Sequence, residues 1–181
     1  MSLAIVSNVS SKSMTDLPLV LRHEQSSYNH AIERLHERAF GPGRFARTAY
    51  RLREGIAPIQ SLCFIAQVGT MLVGSIRLNA IKAAGAPALI LGPLTVEPAF
   101  SDRGIGSRLM ELAINQARED GHKLIFLVGD LPYYSRFGFK MVQPARLTMP
   151  GPVDPQRFLV LELVDGAMVD LSGALIGDAG A

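Results

Sequence analysis

The sequence predicts an α/β domain of the α+β type, built on a mixed, mostly antiparallel sheet. Three observations predict it. Apolar, β-rich runs follow one another from residue 61 to residue 98 with only short turns between them, as in consecutive hairpins. From Gly104 the apolar residues instead recur every three or four positions, the period of a helix. A fully apolar run, "LIFLVGD" at 124–130, comes next, and strand, helix, strand makes a right-handed crossover whose two strands lie parallel.

Taken in order, the Ser-rich residues 1–16 show no lasting period and are expected to be a flexible extension, with Met14 as an alternative start. The domain proper is expected over residues 17–165. "LPLVLRHE" (17–24) reads as a first strand, and "SYNHAIERLHERAF" (27–40) as a helix burying Ile32, Leu35 and Phe40, with Ser26 or Ser27 as N-cap. "GPG" at 41–43 ends it, and a second short helix over 44–54 carries Arg44, Arg47, Arg51 and Arg53 before Gly55. "SLCFIAQVGTMLVGSIRLNAI" is two strands about a Gly-Thr turn, and "KAAGAP" is a further turn. The third strand, "ALILGPLTVEP" (88–98), is interrupted by Gly92-Pro93, which argues for a bulge that releases backbone groups from the ladder. After the helix and the strand at 124–130, "LPYYSRFGFKMV" gives a helical turn, a glycine turn and a strand, and "RFLVLELV" (157–164) closes the sheet. The remaining stretch, 166–181, is an apolar tail expected to dock on the domain or on a second copy of the chain, giving a homodimer.

With 181 residues there is room for one domain, and 48% hydrophobic against 19% charged residues is an ordinary globular balance. The net charge of +2 is too small to demand nucleic acid. Cys63 is the sole cysteine and lies inside an apolar run, so a buried, inert thiol in a reducing cytoplasm is expected. No uncharged apolar stretch is long enough to span a bilayer, and no membrane partner is expected. His23, His30, His36 and His122 show no metal-ligand spacing, so solvated histidines and no metal are expected, and no G-x-S-x-G elbow is present for a serine hydrolase.

"SDRGIGSRLM" (101–110) sets two glycines at a helix start. Unpaired amides point outward from a first helical turn, and glycine lets an anion approach them closely. Arg103 and Arg108 stand by as counter-charges. By itself the pair of glycines is equally a turn that opens a helix. A P-loop would need Gly-Lys-Ser/Thr where Ser107 and Arg108 follow, and a dinucleotide fingerprint would need glycine at Leu109.

The order of elements around the loop fits a known family. "LGPLTVEPAFSDRGIGSRLMELAINQA" followed by "LIFLVGDLPYYSRFGFKMV" resembles the GNAT superfamily of acetyl-CoA-dependent N-acetyltransferases. Its pyrophosphate loop, Gln/Arg-x-x-Gly-x-Gly/Ala, is matched by Gly104 and Gly106, while Ser101 stands where the family has Gln or Arg. "YYSRFGF" (133–139) is similar to the family's Phe/Tyr-Tyr-x-x-x-Gly-Phe signature. The resemblance covers roughly residues 17–164 and implies a sheet of six to seven strands with helices on both faces.

It also implies a chemistry: transfer of an acetyl group from acetyl-CoA to a primary amine by direct attack. Backbone amides of Arg103, Gly104, Ile105, Gly106, Ser107 and Arg108 would hold the pyrophosphate, and the backbone of Leu94, Thr95 and Val96 the pantetheine arm. The Gly92-Pro93 interruption would free an N–H for the oxyanion, and Tyr134 would act as general acid toward the departing thiolate. Tyr133 reads as packing or substrate contact. Glu97 and Asp130 flank the gap, but neither is assigned as a base. The acceptor is a small-molecule or peptide amine, bordered by the region of the Arg44–Arg53 stripe, which otherwise reads as a solvated face. A non-catalytic acyl-CoA sensor with the same fold is the alternative.

Overall fold

The computed structural model describes residues 18–43 and 48–180. The expected N-terminal extension, and Arg44 and Arg47 of the basic stripe, lie outside the described residues. Strands β1 (Leu19–His23), β2 (Phe64–Val68), β3 (Met71–Ala83) and β4 (Ala86–Val96) run antiparallel as successive neighbours, β2 and β3 joined by the expected Gly-Thr turn. Helix α3 (Ile105–Glu119) crosses over to β5 (Leu124–Val128), which lies parallel to β4. The antiparallel β8 (Phe158–Glu162) and the two-residue β6 (Lys140–Met141) complete a path β1-β2-β3-β4-β5-β8-β6.

Alternation along β3 assigns one helix to each face of the sheet. A Cβ on Gly74 would stand 3.1 Å from Leu109 and 3.2 Å from Ile105, so this glycine seats the N-terminal turns of α3 close on the strand. The next residue, Ser75, points the other way and meets His36 of α1 (Asn29–Phe40). Leu109, Met110, Ala113 and Ala117 of α3 are buried in one core with Ala66, Ile76 and Leu78. Ile32 and Leu35 of α1 pack with Ile65 and Leu72 on the opposite face. A third cluster, around Ile81, Ile90, Phe126 and Val160, fills the far end beneath α2 (Thr48–Arg51) and the final strand.

Several expectations change. Neither Ser26 nor Ser27 caps α1; residues Ser26–Tyr28 form a single 3-10 turn and Tyr28 takes the N-cap position with no side-chain cap bond. The Tyr28 amide donates to the Gln25 carbonyl at 2.9 Å, so backbone satisfies a donor that a serine would otherwise have served. The second helix is only four residues within the described part. The C-terminal stretch supplies a strand, β9 (Gly173–Gly177), antiparallel to the end of β3, with Leu175 buried; a two-residue β7 (Leu147–Thr148) pairs with it. Cys63 is buried, its thiol donates to the Ile59 carbonyl at 3.1 Å, and burial pushes its pKa up to about 11. Among the described residues no helix is long and apolar enough to cross a membrane.

Candidate active site

The site begins where β4 and β5 part. Their ladder holds only Leu89 opposite Ile125 and Ile90 opposite Phe126. Beyond Ile90, β4 bulges: between the pairs Leu78–Leu91 and Ile76–Leu94, Gly92 and Pro93 stand opposite Arg77 alone. Gly92 adopts φ of 127°, a conformation L side chains rarely enter. The bulge tilts β4 away, and among the described residues the edge of Leu94–Val96 that faces β5 has no strand partner. A cavity of about 720 Å³ occupies the wedge, walled by Leu91–Leu94, Leu127–Asp130 and Tyr134, with α2 and residues 152–157 opposite.

At one side of this wedge stands the N-terminus of α3. Asp102 (φ 60°) and the N-cap Gly104 (φ 71°) turn the chain through the left-handed region, so the first-turn amides of α3 face outward. Gly106 lies close beneath Tyr133: a Cβ there would lie 2.8 Å from the Tyr133 hydroxyl oxygen, which would have to shift, with Val96 at 3.7 Å and Leu94 at 3.9 Å. The glycine loop and the free edge of β4 are therefore one continuous surface, capped by Tyr133. Arg103 lies over the Phe100 ring at 5.0 Å, and both Arg103 and Arg108 are exposed. Ser107 is half-buried and Ser101 exposed. Thr95 points to the α1 face, where its buried Oγ1 has no hydrogen-bond partner among the described residues.

Tyr134 ends the four-residue α4 (Leu131–Tyr134), which starts from Asp130 with Pro132 in its first turn. Its ring packs against Gly129, where an added Cβ would overlap Cε2. Tyr133 and Phe139 hold it edge-on at 4.9 and 5.9 Å. Burial, with smaller contributions from Tyr133 and Asp130, pushes its pKa up to about 12, so the hydroxyl keeps its proton across the neutral range. Of the two carboxylates flanking the gap, Asp130 lines the cavity and pairs with Arg157 at 3.2 Å. Glu97 is held by Arg38 at 2.8 Å and is not part of the cavity wall.

Two residues read as solvated are not. His36 is 2% exposed, and its Nε2 is 3.1 Å from the Ser75 hydroxyl; its place four residues after Ile32, on the apolar stripe of α1, was the available signal. Arg53 leaves the basic stripe and turns inward against the Gly92 bulge. Among the described residues, no group of three or more His, Cys, Asp or Glu is placed to hold a metal ion.

The family model of the acetyltransferase (GNAT) domain matches residues 60–141, a span that holds the bulge, the glycine loop and Tyr134. Residues 60–141 form a GNAT acetyltransferase domain. It is 31% identical over 113 residues to the Escherichia coli uncharacterized N-acetyltransferase YjhQ, covering 60% of this chain but only 62% of YjhQ. It is 25% identical to the E. coli uncharacterized N-acetyltransferase YhbS over 78% of this chain and 86% of that protein. The crystal structure of E. coli YhbS in complex with CoA shares the GNAT fold at a TM-score of 0.77, with 22% identity over 90% of this chain and 91% of that one. A GNAT acetyltransferase from Brucella melitensis in complex with acetyl-CoA aligns at a TM-score of 0.60 and 26% identity, over 80% of this chain and 96% of that one.

Proposed function

We propose that this GNAT chain transfers an acetyl group from acetyl-CoA to a primary amine by direct attack. The observation that carries the reading is the continuity of three surfaces: outward amides at the start of α3, the unpartnered edge of β4, and Tyr134 at the wedge. Their chemistry suits acetyl-CoA: glycine at position 106 keeps the first turn of α3 open to a pyrophosphate, and a strand edge free on one side accepts an extended amide chain. CoA-bound YhbS and acetyl-CoA-bound Brucella protein, with the same fold, support this reading.

The bound group supplies an activated thioester. The amides from Arg103 to Arg108 hold its pyrophosphate, and the backbone of Leu94, Thr95 and Val96 aligns its arm. The bulge at Gly92-Pro93 leaves backbone N–H free to face the negative charge that develops on the carbonyl oxygen as the amine nitrogen bonds to the carbonyl carbon. Tyr134 gives its proton to the sulfur as the carbon–sulfur bond breaks; the amine's own proton passes to solvent, and Tyr134 is reprotonated from water. A hydroxyl held protonated by burial suits a general acid. Acceptors in this reading are small-molecule or peptide amines in an intracellular, metal-free reaction.

The test is thiol release from acetyl-CoA with a broad amine panel, wild type against Tyr134→Phe. The expected result is turnover in wild type and a large fall in kcat in the variant at unchanged acetyl-CoA affinity. Tight acetyl-CoA binding with no turnover on any amine would replace the transferase reading with that of an acyl-CoA sensor.

A further inference from the structure

A second cavity, about 390 Å³, opens on the other side of the Gly92-Pro93 bulge, and Tyr50 and Arg53 line both it and the wedge cavity. Arg53 therefore stands where the two spaces meet. Its Nε donates to the Ala49 carbonyl at 3.0 Å and its guanidinium lies 4.6 Å from the centre of the Tyr50 ring, which together fix the head group. Nη1 is buried, lies 3.4 Å from where a Gly92 Cβ would be, and has no hydrogen-bond partner among the described residues. Leaving a buried guanidinium nitrogen unpaired is costly, and burial draws the pKa of Arg53 down to about 10.

Among the described residues, the other guanidinium groups lining these cavities are committed. Arg77 binds Glu24 at 2.6 Å and Glu33 at 3.3 Å, and Arg157 binds Asp130 at 3.2 Å. We propose that Arg53 determines acceptor specificity: the guanidinium edge left free by the Ala49 bond binds a carboxylate on the amine substrate, so the acceptor is an amine bearing a carboxylate within a few bonds of its nitrogen, as in an amino acid. This rests on the acetyl-transfer reading above.

Two features choose a carboxylate over other anions. With Nε engaged by Ala49, the guanidinium has one edge left, enough for a single carboxylate. The second cavity also carries Glu33 and Glu54 beside Arg53 and Arg77, two charges of each sign. Such a wall matches a zwitterion and repels a dianion such as a phosphate ester. The position at the bulge sets the spacing: a carboxylate on that edge brings an amine a few bonds away to the place where the thioester carbonyl is proposed to lie.

The test compares common α-amino acids with their carboxamides and their decarboxylated amines, in wild type, Arg53→Met and Arg53→Lys. Thiol release gives kcat/KM, and calorimetry gives the binding of each amine to the CoA complex. Wild type is expected to favour the carboxylates by about tenfold or more in kcat/KM or in affinity, Arg53→Met to lose that preference, and Arg53→Lys to keep part of it. Acetyl-CoA affinity, measured separately, is expected to be equal in all three and reports that the variants are folded. Equal use and binding of acids and carboxamides by wild type, or a preference surviving in Arg53→Met, overturns the assignment. A wild type that binds no acetyl-CoA fails at the transfer reading instead.

Discussion

The two sides of the bulge are built differently. The side proposed to take the cofactor comes from one contiguous stretch, the end of β4 through α4, and is made of backbone: a bulge, a left-handed turn, a helix N-terminus and the glycines that let Tyr133 and Tyr134 sit close. The side proposed to take the acceptor gathers Glu33, His36, Tyr50 and Arg53 of the α1–α2 region with Arg77, Asn79 and the 152–157 segment, and is made of side chains. Backbone devices need particular residue types at fixed spacing. A side-chain pocket accepts many solutions.

Removing groups on each side should separate these roles. The largest effect is expected from Tyr134→Phe, a fall in kcat of about 10²–10³-fold with acetyl-CoA affinity within threefold. Because Tyr134 ionises only near 12, the wild-type kcat should show no alkaline loss from this residue below about pH 11; a loss at pH 8 to 9 that vanishes in the variant would contradict its burial. Gly129→Ala comes next. Its new Cβ overlaps the Tyr134 ring, and a fall in kcat of about tenfold is expected together with a loss of about 1–3 kcal/mol in denaturant unfolding.

On the acceptor side, Ser75→Ala should cost about 1–3 kcal/mol, because it removes the hydroxyl that pairs with buried His36, while leaving kcat nearly intact. Arg53→Met should change stability by no more than about 1 kcal/mol, since relief of a buried unpaired nitrogen offsets loss of the Ala49 bond. The sign with pH follows from the lowered pKa of Arg53: the penalty of burying its cation is fully present below about pH 10 and relaxes above it. The smallest effect is expected beneath both sides, at Cys63. Its thiol should resist a disulfide reagent at pH 8 in the folded protein and react stoichiometrically in denaturant.

This contrast also explains what was legible in the sequence. Gly92-Pro93, Gly104 with Gly106, and the Tyr-Tyr-x-x-x-Gly-Phe run announce themselves because each is a local conformational requirement, and the strands and α3 follow from period alone. The role of Gly129 was hidden: its missing Cβ matters only because a ring five residues later folds back onto it. Arg53 and His36 looked like any polar residue of an amphipathic helix, since their burial depends on β3 and β4, which are distant in sequence. Strand β9 looks like a tail in the sequence because pairing with the end of β3, some ninety residues earlier, leaves no local mark.

The central claim is that acetyl-CoA binds across the start of α3 and the opened edge of β4. Calorimetric titration of acetyl-CoA into wild type and Gly106→Glu tests it most directly, because the new side chain strikes the Tyr133 hydroxyl and puts a carboxylate where the pyrophosphate is to lie. One site per chain in wild type, and an affinity about a hundredfold weaker in a variant whose unfolding is still cooperative, is the predicted result. Equal affinity in the two proteins would contradict it.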